Sequence, residues 1–170
     1  MFKEILADLK NHFVFKDHLL QHVDKWKESI INEKRKKTIF VGKPQALVFS
    51  FRNFSFTYLL GVHCRRTDFK RHYSWVSNGT LVDHRFFDAA FDIYRRRYND
   101  DRNQVIFLTV SDDIAWIRDN LGRHSDVRFG DEYSKTSIQE EDLVGFDLAV
   151  LATSDHSIHT VGYCHSLKIR

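Results

Sequence analysis

From Tyr58 to about Ala152 the chain alternates short apolar runs with stretches of helical periodicity, and few architectures accommodate that order. Apolar runs fall at Tyr58–Val62 and Val105–Val110, and helical patterns at Asp83–Tyr98 and Asp112–Leu121, the second closed by Gly122. Val127-Arg128-Phe129 reads as a weak strand, Ser137–Phe146 as a helix and Leu148–Ala152 as a buried strand. Successive βα units of this kind imply an α/β fold, a Rossmann-like parallel sheet with flanking helices. Such sheets bind ligands where the carboxyl ends of the strands meet the following loops. Three polar segments are expected there, each directly after an apolar run: His63–Asp68, Ser111-Asp112-Asp113 and Thr153–Ser157.

The remainder of the chain is less regular. Between Phe2 and about Lys37, Ile5, Leu6, Leu9, Phe13, Leu19, Leu20, Val23, Trp26 and Ile30 recur at helical spacing among many charges, which predicts one or two amphipathic helices. Thr38-Ile39-Phe40-Val41 reads as a short strand closed by Gly42-Lys43-Pro44. The Phe-rich stretch from about Lys43 to Thr57 is either a buried strand pair or an insertion. The chain therefore divides into a helical N-terminal region with a Phe-rich insertion (1–57), a Rossmann-like domain (58–162) and a tail (163–170).

A formal charge of +3 is too mild for a nucleic-acid surface, and the aromatics follow core periodicity instead of interleaving with basic residues, so no nucleic-acid partner is expected. No run reaches the roughly 18–20 apolar residues of a membrane span, and Met1-Phe2-Lys3-Glu4 does not open a signal peptide. The two cysteines, Cys64 and Cys164, either pair or stay reduced. Asn53 and Asn78 head triplets of the N-glycosylation pattern, which matters only in a secretory compartment.

In Gly61-Val62-His63-Cys64-Arg65-Arg66-Thr67-Asp68 an apolar run breaks off into His, paired Arg and Asp. Two guanidiniums at the mouth of an apolar element suit a diphosphate, because each can fork onto phosphate oxygens. The neighbouring His63 and Asp68 could steer a proton. Ser111 is placed to cap the following helix, with Asp112 and Asp113 in its first turn, where a carboxylate could instead accept from a nucleobase or ribose. The hydroxyls after Ala152 suit phosphate oxygens. The spacing of His, Cys, Asp and Glu offers no metal-ligand pattern.

Taken in order, these segments resemble the α-1,2-fucosyltransferase family, glycosyltransferase family 11. His63-Cys64-Arg65-Arg66-Thr67-Asp68 matches the family's HxRRxD block, supported by Phe107–Asp113 with Trp116 on the next helix and by Asp147–Ile158. The resemblance covers roughly Tyr58 to Gly162. It implies the donor-binding half of a GT-B-type enzyme, metal-independent and inverting, moving fucose from GDP-fucose to O2 of a terminal galactoside. Arg65 and Arg66 would hold the diphosphate and help GDP leave, and His63 would touch the nucleotide or orient that pair. Asp112 or Asp113 would bind guanosine, Ser154 and Ser157 would line the phosphate pocket, and Asp68 would activate the acceptor hydroxyl. The resemblance further implies a β-galactoside-terminated glycan as acceptor, a Golgi membrane location through an anchor outside these residues, and no metal or other cofactor.

After Thr160-Val161-Gly162 the sequence departs from the family, giving Tyr163–Arg170 where a segment of small and aromatic residues is expected. The chain therefore reads as a truncated member, either an enzyme or a non-catalytic sugar-nucleotide-binding remnant or partner subunit.

Overall fold

A computed structural model describes residues 14–39, 56–67, 81–100 and 102–160. Among the described residues four strands, all parallel, form the sheet: β1 (Phe56–Cys64), β2 (Asn103–Ser111), β3 (Val127–Phe129) and β4 (His156–His159), in the order β3-β2-β1-β4. The helices are α1 (Asp17–Ile39), α2 (His84–Tyr98), α3 (Ile114–Leu121), α4 (Gly130–Ser137) and α5 (Leu143–Ala152), with a 3-10 turn at Glu140–Asp142 before α5. This is the α/β architecture that the alternating pattern implies.

Side chains alternate across a strand, so β1 and β2 each feed two cores. Leu60, Val62 and Cys64 of β1 join Val105 and Phe107 of β2 on one face, beneath Phe87 and Phe91 of α2 and Ile117 and Leu121 of α3. Leu59 with Ile106, Leu108 and Val110 faces the other way, onto Leu19, Val23, Trp26 and Ile30 of α1 and Phe146, Ala149 and Val150 of α5. Because both faces are covered, β2 is buried from Val105 to Ser111, a near-continuous apolar run. The apolar stripe of α1 is part of this second core, so α1 and the strands fold on one another.

Several elements differ from the sequence reading. Thr38 and Ile39 end α1 and form no strand, while Phe40 and Val41 lie outside the described residues, as does the Phe-rich stretch up to Ser55. Leu148–Ala152 is the second half of α5, and the strand lies four residues further on, at His156–His159. A short apolar run fits a covered helix as well as a strand, and here Phe146, Ala149 and Val150, at helical spacing, are the buried positions. The helix expected at Ser137–Phe146 is instead the end of α4, a turn and the start of α5. β4 escaped the pattern because His-Ser-Ile-His has one apolar residue, Ile158, to mark its buried face.

Gly61 is required where α5 crosses β1. A Cβ at this position would stand 2.9 Å from Leu151 Cδ2, 3.2 Å from Leu151 Cα and 3.2 Å from Ser154 Oγ. The helix end is fixed from outside by Lys27, whose Nζ donates to the Thr153 carbonyl at 2.6 Å and to its hydroxyl at 2.8 Å.

Candidate functional site

The chain runs from β1 through α2 to β2 and on to β3, then crosses back to place β4 on the other side of β1. The β1/β4 boundary is therefore a topological switch point, and the crevice beyond its carboxyl ends is where a ligand meets an open sheet. His63–Thr67 leaves β1 there. Arg65 N–H donates to Thr160 Oγ1 at 3.2 Å, and Thr160 N–H donates to the His63 carbonyl at 3.1 Å, so the strand ends are stitched together under the arginines.

Strand alternation separates the surroundings of the two arginines. Arg66 continues the Cys64 face, toward α2 and α3. Its Cζ lies 3.8 Å from the Trp116 ring centroid, Nη1 donates to the Val82 carbonyl at 2.9 Å, and Nε is 3.9 Å from Asp113 Oδ2. Stacking and a carbonyl acceptor hold the planar group in one orientation, which lowers the ordering cost of receiving an anion. Arg65 follows the His63 face and is exposed, close enough for its charge to help keep the His63 imidazole neutral.

The loop after β2 secures this arrangement. Ser111 Oγ donates to the Cys64 carbonyl at 2.5 Å and accepts from Asp113 N–H at 2.9 Å, fastening the end of β2 to that of β1. Asp112 Oδ1 accepts from Arg66 N–H at 2.8 Å; Oδ2 accepts from Thr67 N–H at 3.1 Å and from Thr67 Oγ1 at 2.5 Å. Asp112 thus clamps the backbone of the arginine loop. The N-cap of α3 is Asp113, two residues beyond the expected Ser111: its Oδ1 accepts from Trp116 N–H at 3.1 Å, which also fixes the residue under Arg66.

The remaining polar groups sit over the His63 face. His63 and His159 are partners in the β1/β4 register, with ring centroids 6.3 Å apart, and His159 Nε2 is 2.8 Å from Ser157 Oγ. Burial lowers both imidazole pKa values; at His63 the charges of His159 and Arg65 add to it while Asp112 acts the other way. Ser157 lies within β4, whereas Ser154 lies in the turn after α5, its hydroxyl donating to the Val150 carbonyl at 2.6 Å. Ser154 therefore precedes a strand instead of following one, and stands above Gly61, below the strand ends. Cys64 is a buried free thiol whose pKa is pushed up to about 12, chiefly by burial, so it stays protonated; Cys164 lies outside the described residues. Asp68, Asn53 and Asn78 are also outside them.

The structure thus brings together Arg66, Asp112, Asp113, His63 and the backbone of Arg65, and adds Thr67, Thr160, the Val82 carbonyl and His159. Thr67 falls within the expected His63–Asp68 segment, whereas Thr160, the Val82 carbonyl and His159 were not legible as parts of a site. Thr160 and His159 follow from β4, whose polar sequence hides it, and a backbone carbonyl carries no sequence signal.

The family model of glycosyl transferase family 11 matches residues 8–162. This chain belongs to glycosyl transferase family 11. It is 33% identical over 104 residues to galactoside alpha-(1,2)-fucosyltransferase 2 of Gorilla gorilla gorilla, covering 61% of this chain and 27% of that protein. It is 34% identical over 104 residues to galactoside 2-alpha-L-fucosyltransferase SEC1 of Bos taurus, covering 61% of this chain and 26% of that protein. The matched region thus spans about a quarter of the length of these relatives. No solved structure matches the chain. No described helix is long and apolar enough to cross a membrane.

Proposed function

We propose that this family 11 chain carries the donor site of a galactoside 2-alpha-L-fucosyltransferase, binding GDP-fucose at the carboxyl ends of β1 and β4. The observation that carries the reading is Arg66: its guanidinium is held in one orientation by Trp116 and the Val82 carbonyl just beyond the carboxyl end of β1, the strand at the switch point, and Arg65 precedes it in the chain. In this reading the two arginines compensate the diphosphate. Charge grows on the leaving GDP as the glycosidic bond breaks, and donors already aimed at it stabilise the transition state without reorganising. The acceptor O2 attacks the anomeric carbon from the opposite face, giving inversion, and Asp68 removes its proton. Arg66 and Arg65 supply the positive charge themselves, so transfer is metal-independent.

Asp112 contributes by holding the loop that carries both arginines. Of the two aspartates, Asp113 is the one with an oxygen left for a guanosine donor, since among the described residues Oδ2 meets only Arg66, at 3.9 Å. Ser157 faces the crevice through His159, and Ser154 lies deeper, on the α5 side. The acceptor in this reading is a β-galactoside-terminated glycan and the compartment the Golgi, as expected of a fucosyltransferase of this kind.

Incubating the purified chain with labelled GDP-fucose and a β-galactoside tests this. Transfer to O2, with GDP released, is the expected outcome. GDP binding without transfer would make the chain a sugar-nucleotide-binding subunit, and no GDP binding would refute the donor site.

A further inference from the structure

His159 is a residue that the sequence patterns left unassigned, yet the fold seats it beside His63 at the switch point. The two are register partners on adjacent parallel strands, their rings 6.3 Å apart, both half-buried on the face that leads to Arg65. The Ser157 hydroxyl fixes His159 from one side at 2.8 Å. Among the described residues His63 has its ring contact with His159 and no hydrogen-bond partner, so a half-buried imidazole stands at the end of β1 with hydrogen-bonding capacity to spare. A pair whose neutral form burial favours, with no carboxylate hydrogen-bonded to either ring among the described residues, is an unusual thing to place at a phosphate-binding rim. It becomes useful only when negative charge arrives.

We propose that His63 and His159 form a second anion-binding element: when a nucleoside diphosphate seats at the β1/β4 crevice, one of the two imidazoles takes a proton from solvent and donates to a phosphate oxygen. This rests on the diphosphate reading above. The charge balance is simple. The incoming diphosphate brings the anionic charge, one buffer acid gives up a proton, and one imidazole becomes imidazolium. Mutual repulsion keeps the pair from holding two protons, and Arg65 opposes protonation until the ligand compensates it. Among the described residues the groups facing the pair are Arg65 just after β1, Asp112 on the loop after β2 and Ser157 on β4. On α5, which packs over β1, the ionisable group is Asp147, whose carboxyl burial pushes up to about 7. Because Asp147 titrates near neutral pH, it must be tested separately.

Calorimetry of GDP binding by the full chain, repeated at neutral pH in buffers of different ionisation heat, counts the protons taken up. The expected result is uptake approaching one proton, with affinity rising as pH falls by up to roughly tenfold per unit. The Asp147→Asn variant should keep this uptake, and the His63→Gln, His159→Gln double variant should bind GDP more weakly and exchange no proton. An NMR titration of the ligand-free chain gives a reading independent of GDP: the His63 midpoint should lie below the ordinary histidine value and move up in His159→Gln. GDP binding without proton exchange, or uptake lost in Asp147→Asn alone, overturns the inference while leaving the donor site intact. Failure to bind GDP in a chain whose imidazoles titrate as a coupled pair refutes the donor reading and the phosphate role together. Imidazoles that titrate independently refute the pairing itself.

Discussion

Replacing Gly61 by Ala adds one methyl group at the tightest crossing in the molecule, and its cost can be worked out. The new carbon would stand 2.9 Å from Leu151 Cδ2, a contact that side-chain rotation relieves, but also 3.2 Å from Leu151 Cα, which moves only if α5 moves. That helix is held by buried Phe146, Ala149 and Val150 and by Lys27 at its end, so it yields reluctantly. Overpacking of this kind costs roughly 1–3 kcal/mol. Against it stands the entropy that Gly loses on folding, where Ala in a strand gains about 0.5–1 kcal/mol. The overpacking wins, and the net loss should be about 1–2 kcal/mol. With a urea slope of about 2 kcal/mol/M, the middle of the range for small domains, the midpoint falls by about 0.5–1 M. Urea unfolding followed by circular dichroism reads this directly, and an unchanged or raised midpoint would refute the close-approach argument. A double variant sharpens the test. Leu151→Ala removes the Cδ2 contact, so Gly61→Ala should cost less in that background, whereas strict additivity would show that the two residues do not meet.

Three further outcomes are expected. Arg66→Lys keeps the charge but loses the Trp116 stack, the Val82 hydrogen bond and the planar fork, so GDP affinity in a calorimetric titration should fall about tenfold or more, with stability lower by about 1–2 kcal/mol; wild-type affinity would contradict the assigned role. Cys64, buried with its thiol pKa pushed up to about 12, should resist iodoacetamide at pH 8 in the folded chain and react once the chain is unfolded, as peptide mapping would show. Asp147 has a folded pKa of about 7, raised above the unfolded carboxylate value, so its contribution is full below about pH 4 and is lost as pH rises through about 7. Asp147→Asn should therefore be the more stable protein at pH 8, with the gap closing toward pH 4; equal melting temperatures at pH 8 would count against the buried charge.

The sheet's central strands were readable because burial on both faces makes them continuous apolar runs, and β1, β2 and the α2 and α3 patterns fall where the sequence places them. The arginine block was readable for a different reason. Adjacent guanidiniums directly after such a run have few structural uses, and the same block carries the family resemblance. By contrast, Leu148–Ala152 shows how an apolar run loses its meaning when the element is covered on several sides: periodicity vanishes, and only the buried set Phe146, Ala149 and Val150 reveals a helix.

What the sequence alone determined, then, is the α/β class, the two central strands and the location of the arginines after β1, since each depends on local composition and spacing. The tertiary structure decided how the arginines differ, Arg66 being stacked on Trp116 and Arg65 standing with His63, and it assigned Asp112 to the loop backbone and Asp113 to the helix cap. It also decided that a four-residue polar strand lies against β1 and brings His159 to His63. Strand order and register arise from long-range packing, with β1 and β4 more than 90 residues apart in the chain, as the Arg65 to Thr160 hydrogen bond spans 95 positions. No local pattern encodes a partner at that distance.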